Sequence, residues 1–301
     1  MTVPARKWRA SASLILTVLV AVAGVTTLTY STAASWVSAI NQSQVVNRYE
    51  TSVNHAEPSA SEQLRAAHIY NSALSSGALL EANSTVPQGN GEYADTSFDY
   101  RSMLATSTGV MARLQIPKID VDLPVYHGTS EETLEIGVGH LKGTSLPVGG
   151  ESTHSVLTAH RGLPSATLFT NLDQVKVGDT FTITTFGEVL NYRVVSRQVV
   201  APEDTETLRQ IEGEDLVTLV TCTPLGVNSH RILVTGERIN PTPPEAIEEA
   251  RSSAREPGFP WWAVAYISAL AVIGWYAWWA GKPPRRLPQH ASTECSSNAQ
   301  Q

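Results

Sequence analysis

The sequence predicts a mostly β domain held between two membrane-spanning helices. Two long apolar stretches, residues 14–28 and 259–280, lie near the two ends of the 301-residue chain. Between them, from about residue 109 to residue 238, short runs of β-branched and aromatic residues alternate with turn residues, which is typical of strands. Short strands with turns between them favour a closed barrel or a sandwich.

The second apolar stretch has the length of a transmembrane helix and aromatic residues at both ends. About 20 apolar residues are needed to cross a bilayer, and aromatic rings prefer its two interfaces. A pair of tryptophans stands at each end of residues 259–280. The first stretch, within residues 13–30, is predicted to be a retained anchor or a cleaved signal peptide, because a basic start precedes it and small residues follow it.

Basic residues are concentrated just outside the two apolar stretches. Because positive residues stay on the cytoplasmic side of a membrane, we expect both termini in the cytoplasm and the intervening domain on the extracellular side of the cell membrane. The net charge of −7 becomes −12 when the six terminal basic residues and Glu294 are set aside. Nucleic acid is not a predicted partner, since it requires a basic surface. The six residues are Arg6, Lys7, Arg9, Lys282, Arg285 and Arg286.

These features divide the chain into consecutive segments. The β domain is followed by a Pro-rich linker and preceded by a long segment that is helical at first and then rich in Pro, Gly and small polar residues. The segments are a cytoplasmic N-terminus at 1–12, the first span at 13–30, the helical and lid-like segment at 31–108, the β domain at 109–240, the linker at 241–258, the second span at 259–280 and a cytoplasmic tail at 281–301.

Local signals place the smaller elements. Ser61 is expected to cap a helix that reaches Leu74, and a loop follows at 83–99. Residues 129–132 have the composition of a capping box, and Asp204 that of a helix cap. The predicted strands cover residues 110–116, 121–125, 155–159, 180–184, 190–200, 216–222 and 231–238, with a turn at 186–188.

The two cysteines, Cys222 and Cys295, are predicted on opposite sides of the membrane and therefore cannot form a disulfide. An unpaired thiol in an exported domain is unusual, because that compartment favours disulfides. Cys222 could nevertheless be a small core residue, since unpaired cysteine is commonly buried.

The neighbours of Cys222 favour a chemical role. Cys222 ends one predicted strand and Arg231 begins the next, so the loop between them would place the two side by side. A guanidinium beside a thiol favours the thiolate and can bind a developing oxyanion. His160 lies at another strand-to-loop junction, and a cysteine nucleophile commonly uses a histidine as its acid–base partner. Together these residues indicate a thiol acyl transferase.

Other residues compete with this interpretation. His154 precedes a strand instead of ending one, and we interpret it, with His127 and His140, as structural. The spacing of the histidines matches no compact zinc pattern, so no metal is predicted. Arg161 is expected to be solvated or to cap a helix.

The segments around the three candidate residues resemble the sortase family of cysteine transpeptidases. Thr218-Leu219-Val220-Thr221-Cys222 is similar to the family signature Thr-Leu-x-Thr-Cys. Residues 158–162 resemble the segment that carries its catalytic histidine, and His230-Arg231 the pair that carries its catalytic arginine. The match covers about 114–238, and residues 128–164 and the C-terminal span are most like class C, the pilus-assembly branch.

The resemblance implies an eight-stranded β-barrel in which Cys222, His160 and Arg231 are catalytic. Cys222 would cleave the Thr–Gly bond of a Leu-Pro-x-Thr-Gly (LPXTG) sorting signal through a thioester, and the acyl group would pass to an amine. In class C the amine is a pilin lysine and the product a polymer. The implied partners are LPXTG-bearing pilin or surface proteins and an acceptor lysine or cell-wall amine, with no cofactor.

Alternatives remain at this stage. A housekeeping-type sortase would attach proteins to the cell wall, and a cysteine hydrolase would use water as the acceptor. A surface adhesin or pilin would need an LPXTG motif before the second span, where the chain has Arg255-Glu256-Pro257-Gly258-Phe259. Class C enzymes often carry an Asp-Pro-aromatic lid, which this sequence lacks; either Phe98 or Tyr93 plugs the site, or there is no lid.

Overall fold

The chain divides into two compact units in the computed structural model, which describes residues 8, 10–75, 78–79, 88–89, 92–93 and 99–282. One unit lies within residues 1–30 and 261–301, and the other is residues 31–260. Most of the predicted cytoplasmic segments, and the side chains of Tyr93 and Phe98, lie outside the described residues. The lid hypothesis therefore stays a prediction.

Five α-helices occur among the described residues. They are α1 (Ala12–Asn54), α2 (Ala60–Ala73), α3 (Glu131–Ile136), α4 (Pro244–Ala250) and α5 (Trp261–Ala280). Helices α1 and α5 each contain an 18-residue window, of mean hydropathy 2.1 and 1.4, in which no residue is buried. Both helices therefore have the length and composition needed to cross a membrane, as the sequence predicts.

The second unit is built around a closed barrel of eight strands, which confirms the predicted fold class. The strands are β1 (Val110–Ile116), β2 (Val121–His127), β3 (Val138–His140), β4 (Thr153–Thr158), β5 (Thr180–Thr185), β6 (Glu188–Val200), β7 (Asp215–Thr223) and β8 (His230–Arg238). Their order around the barrel is β6-β8-β7-β4-β3-β2-β1-β5. Neighbours are antiparallel except for β2 with β3 and β4 with β7, which are parallel.

Apolar side chains from all sides of the barrel meet in its interior. The rings of Phe181 and Tyr192 stack at a centroid distance of 5.4 Å, and both residues are fully buried. Gly236 on β8 makes room for them, because a Cβ at this position would lie 2.5 Å from the Phe181 ring. Burial of each such ring stabilises the fold by roughly 1.5–3 kcal/mol, so this packing helps to fix the strand register.

Three predicted helix caps are wrong by one or more residues. Ser59, not Ser61, caps α2: its backbone N–H donates to the Glu62 carboxylate at 3.0 Å and its hydroxyl does so at 2.6 Å. Ser130, the second residue of the predicted capping box, caps α3 and accepts a hydrogen bond from Thr133 N at 3.3 Å. Asp204 caps no helix, since the 3₁₀ turn Glu206–Leu208 follows Thr205 without a side-chain cap.

Two further regions differ from the sequence prediction. Strand β3 was not predicted, because three residues with a central glycine carry no alternation of apolar and polar side chains. The predicted loop at 83–99 contains short strands: Gln88–Gly89 pairs with Ala78–Leu79, and Glu92–Tyr93 pairs with Leu74–Ser75.

Arg113 ties the segment that follows the barrel to the barrel's first hairpin. Its guanidinium donates from Nε and Nη2 to the Asp122 carboxylate, both at 2.7 Å. Its Nη1 donates to the carbonyls of Ala250 and Ser252, both at 2.9 Å. Because the Arg113 side chain is only 6% exposed, these four hydrogen bonds compensate a buried charge.

We predict that Arg113→Met lowers the free energy of unfolding by about 3–5 kcal/mol, because it leaves the largely buried Asp122 carboxylate without its cation. Urea unfolding of the detergent-solubilised chain, followed by near-UV circular dichroism, measures the change. The matched control is Arg255→Met, which removes the exposed ion pair with Asp120 and should cost less than about 1 kcal/mol. Equal losses in the two variants would contradict the role of Arg113.

Candidate active site

Cys222 lies near the end of strand β7, on its outer face. Side chains alternate along a strand. Val217 and Leu219 belong to the large core cluster that includes Phe181 from the far side of the barrel. Val220 belongs to a separate cluster with Leu208 from the connection between β6 and β7. Cys222 is two residues beyond Val220, so it shares this outer face, and it is 6% exposed.

The parallel pairing of β4 with β7 brings His160 level with Cys222. The last residue of β4 pairs with Val220, and the contact continues beyond the strand. The backbone N–H of Ala159 donates to the Val220 carbonyl at 3.2 Å, and Thr221 Oγ1 donates to the Ala159 carbonyl at 2.8 Å. Because parallel strands keep their register, the next residue pair along the two chains is His160 with Cys222.

Strand β8 brings Arg231 to the other side of Cys222. The two residues are register partners in the antiparallel ladder, so their side chains leave the sheet on the same face. The Arg231 side chain is fully buried. Its Nη1 donates to the carbonyl of Asn228 at 2.8 Å and to that of His230 at 3.1 Å. The guanidinium is thus held by the turn that precedes its own strand.

The electrostatics of the thiol combine opposing effects. Burial raises the pKa of Cys222, because the thiolate loses its hydration. The positive charge of Arg231 lowers the pKa, and the negative charge of Glu131 raises it. Burial is the largest effect, so the thiol is mainly neutral in this structure at neutral pH, and Arg231 is the group that stabilises the thiolate.

Glu131 is a residue of this site that the sequence analysis assigned only to a helix cap. Its Oε1 lies 3.2 Å from His160 Nε2. The His160 side chain is 9% exposed and that of Glu131 is 55% exposed, so the carboxylate lies at the rim. Helix α3 brings it there because it connects the parallel strands β2 and β3, and β3 is the neighbour of β4. No spacing pattern in the sequence predicts where a helix that connects two strands packs.

The structure contradicts the expectation that Arg161 is solvated or caps a helix. Its side chain is 10% exposed. The guanidinium donates to Asp173 Oδ2 at 2.7 Å, to the Thr170 carbonyl at 3.0 Å and to Thr223 Oγ1 at 3.1 Å. Arg161 therefore ties the loop after β4 to the end of β7, directly beside the candidate site.

Two of the three histidines interpreted as structural, His140 and His154, occupy buried, hydrogen-bonded positions. His140 contacts the Ser145 carbonyl at 2.8 Å, and burial lowers its pKa to about 4. His154 contacts the Arg209 carbonyl at 2.8 Å and Thr218 Oγ1 at 2.7 Å, and burial lowers its pKa as well. Both rings are therefore neutral at neutral pH. Among the described residues, no three His, Cys, Asp or Glu side chains converge as a metal site.

Known proteins match the part of the chain that forms the barrel. The family model of the sortase domain matches residues 114–239. Sortase D of Bacillus subtilis is 34% identical over 131 residues, which is 42% of this chain. The chain spans only 62% of the length of that curated relative.

Solved structures match over more of the chain. Sortase C-1 from Actinomyces oris is 49% identical, with 60% of this chain and 99% of that chain covered and a TM-score of 0.54. Sortase C from Streptococcus pneumoniae is 40% identical, with 67% and 99% covered and a TM-score of 0.58. Since these structures are matched over almost their whole length, the chain belongs to the sortase family and is most like its class C members.

Proposed function

We propose that this chain is a membrane-anchored cysteine transpeptidase that cleaves the Thr–Gly bond of an LPXTG-type sorting signal and transfers the acyl group to an amine. The observation that carries the proposal is the convergence of Cys222, His160 and Arg231 on one face of the barrel. A nucleophile, an acid–base group and a fixed cation are the groups that thiol acyl transfer requires.

In the first half of the reaction, the Cys222 thiol gives its proton to the His160 imidazole, and the resulting thiolate attacks the carbonyl carbon of the substrate threonine. The carbonyl oxygen becomes an oxyanion, and the Arg231 guanidinium stabilises its charge in a site from which water is largely excluded. The intermediate collapses, and the carbon–nitrogen bond breaks. The His160 imidazolium then gives its proton to the departing glycine amine, which leaves a thioester on Cys222.

In the second half, an acceptor amine attacks the thioester carbon. The amine gives a proton to the neutral His160 imidazole as its new bond forms, and Cys222 leaves as the thiolate that Arg231 stabilises. The product is an amide, and His160 returns its proton to the Cys222 thiolate, which restores the starting enzyme. His160 therefore accepts and donates one proton in each half of the reaction, and no cofactor takes part.

A pilin lysine is the proposed acceptor, which would make the reaction a step of pilus polymerisation. The solved sortase C of Streptococcus pneumoniae is described with pilin substrate specificity, and a related sortase C of group B Streptococcus is described as pilus-related. A housekeeping enzyme that uses a cell-wall amine, or a hydrolase that uses water, would employ the same three residues. The identity of the acceptor distinguishes these functions.

The proposed topology places the barrel outside the cell. The apolar helices α1 and α5 would anchor the chain, with both termini in the cytoplasm, because basic residues flank the two spans on their outer sides. The segment boundaries given above, from the N-terminus at 1–12 to the tail at 281–301, belong to this proposal. A barrel on the extracellular side would encounter secreted pilin or surface proteins.

We predict that an LPXTG peptide gives the detergent-solubilised chain an acyl adduct on Cys222. Intact-mass spectrometry should show the adduct, hydroxylamine should remove it, and a lysine-bearing acceptor should take it up. Cys222→Ala should abolish the adduct. His160→Ala should slow its formation by roughly 100-fold or more, since general acid catalysis is lost.

Cys295→Ser is the matched control and should form the adduct normally. Transfer to water alone would favour the hydrolase. If no adduct forms while Cys222 still reacts with a thiol reagent, the proposed function is contradicted.

We also predict that Arg231→Met shifts the alkylation of Cys222 to higher pH. Arg231 lowers the pKa of the thiol, so its removal should raise the midpoint of the rate–pH curve. Iodoacetamide labelling in a Cys295→Ser background reports on Cys222 alone. Arg231→Lys should keep much of the wild-type midpoint, and Arg161→Met, which removes a neighbouring guanidinium, should leave it in place. A midpoint that is unchanged or lower in Arg231→Met would contradict the role of Arg231.

A further inference from the structure

We propose that Glu131 is a positioning residue of this site: its carboxylate holds the His160 ring at Nε2 and stabilises the imidazolium that donates a proton to the leaving amine. The inference deepens the proposed function and rests on it for the proton-transfer step. The contact between Glu131 and His160 is independent of the reaction.

The two ring nitrogens of His160 have different surroundings. Nε2 is buried and lies 3.2 Å from Glu131 Oε1, at an angle that does not satisfy hydrogen-bond geometry, so the contact is an ion pair that forms when the ring is protonated. Nδ1 is not among the buried polar atoms without a partner. Among the described residues the His160 ring has no other hydrogen bond or ion pair, so Nδ1 is the ring nitrogen that solvent or a substrate can reach. A carboxylate on one nitrogen thus leaves the other free to exchange a proton with a substrate.

Helix α3 fixes Glu131 in this position. The Ser130 hydroxyl caps the helix by accepting from Thr133 N, and Leu134 is fully buried. Leu134 packs against β3 over Gly139, where an added Cβ would lie 2.9 Å from the leucine side chain. Glu131 is the first residue of this anchored helix, so its backbone cannot move away from His160 without disturbing the packing of α3.

The charge of Glu131 acts on Cys222 and His160 in opposite directions. It raises the pKa of the Cys222 thiol, and its carboxylate lies 3.2 Å from His160 Nε2, where it attracts positive charge on the ring. Among the described residues, the charged groups that act on the pKa of the thiol are Arg231 on β8 and Glu131 on α3, and the titratable ring of His160 lies level with Cys222. Arg161 lies nearby, but its charge is already paired with Asp173. Because the Glu131 side chain is about half exposed, water screens its charge and the effects will be modest.

This combination of signs distinguishes positioning from a purely structural role. Loss of the charge in Glu131→Gln should lower the pKa of the Cys222 thiol while it slows the acyl transfer that uses His160. A structural defect would change both readouts in the same direction or would lower the unfolding midpoint. Glu132→Gln is the matched control, because Glu132 is the next residue of the same helix, is exposed and has no ion pair with His160.

The experiment uses the full chain in detergent in a Cys295→Ser background. In Glu131→Gln, the midpoint of Cys222 alkylation by iodoacetamide should fall by about half a pH unit. In the same variant, kcat for transfer from an LPXTG peptide to an amine should fall by roughly tenfold with little change in KM. Glu131→Asp should recover part of kcat, and Glu132→Gln should behave as wild type in both assays.

The two assays separate the possible failures. If the wild-type chain forms no acyl adduct, the proposed function fails, whereas the alkylation curves still test whether Glu131 acts on the site. If Glu131→Gln and Glu132→Gln have the same alkylation midpoint, the electrostatic role of Glu131 is overturned. If the midpoint falls as expected but kcat for acyl transfer does not change, the positioning of His160 is overturned.

Discussion

Strand β7 is hydrogen-bonded to β4 on one side and to β8 on the other, and these two ladders decide where each reactive group lies. Because side chains alternate along a strand, a slip of one residue in β7 would turn Cys222 into the barrel and Leu219 out of it. Leu219 is fully buried in the core, so the slip would expose a large apolar side chain to the outer face. The packing of the core therefore fixes the register of β7, and this register fixes the position of Cys222 relative to His160 and Arg231.

The buried guanidinium of Arg231 costs free energy, because a charge leaves water for a medium of low polarity. The carbonyls of Asn228 and His230 offset part of this cost. The same dry surroundings raise the pKa of the Cys222 thiol, so they disfavour the charged nucleophile at rest. Once negative charge appears on the sulfur or on a substrate oxygen, however, weak screening strengthens its attraction to Arg231. The site thus favours the neutral thiol at rest and would stabilise the charges that develop during the proposed reaction.

The pairing of Cys222 with Arg231 follows from the sequence because both sit at the ends of one short loop between two strongly patterned strands. The position of His160 beside Cys222 is harder to predict. It depends on the parallel pairing of β4 with β7, two strands that are distant in the sequence. The contact of Glu131 with His160 depends in addition on where helix α3 packs, which a single sequence does not encode in any local pattern. Arg161 was misjudged for a similar reason: its partner Asp173 lies across a loop whose path has no periodicity.

The choice between an amine and water as acceptor depends on which of the two can reach the thioester in a reactive form. At neutral pH only roughly one lysine in a thousand carries a neutral amine, whereas water needs no deprotonation before it can enter the site. Transfer to lysine can therefore prevail only if the acceptor is held in place and water is kept out. Cys222 and His160 are 6% and 8% exposed, so a thioester would form where water has little access. Docking of the acceptor would then hold its amine beside the thioester at a high effective concentration. The net charge of −12 on the part of the chain between the basic ends would favour the approach of a lysine-bearing partner, because opposite charges attract over about a Debye length.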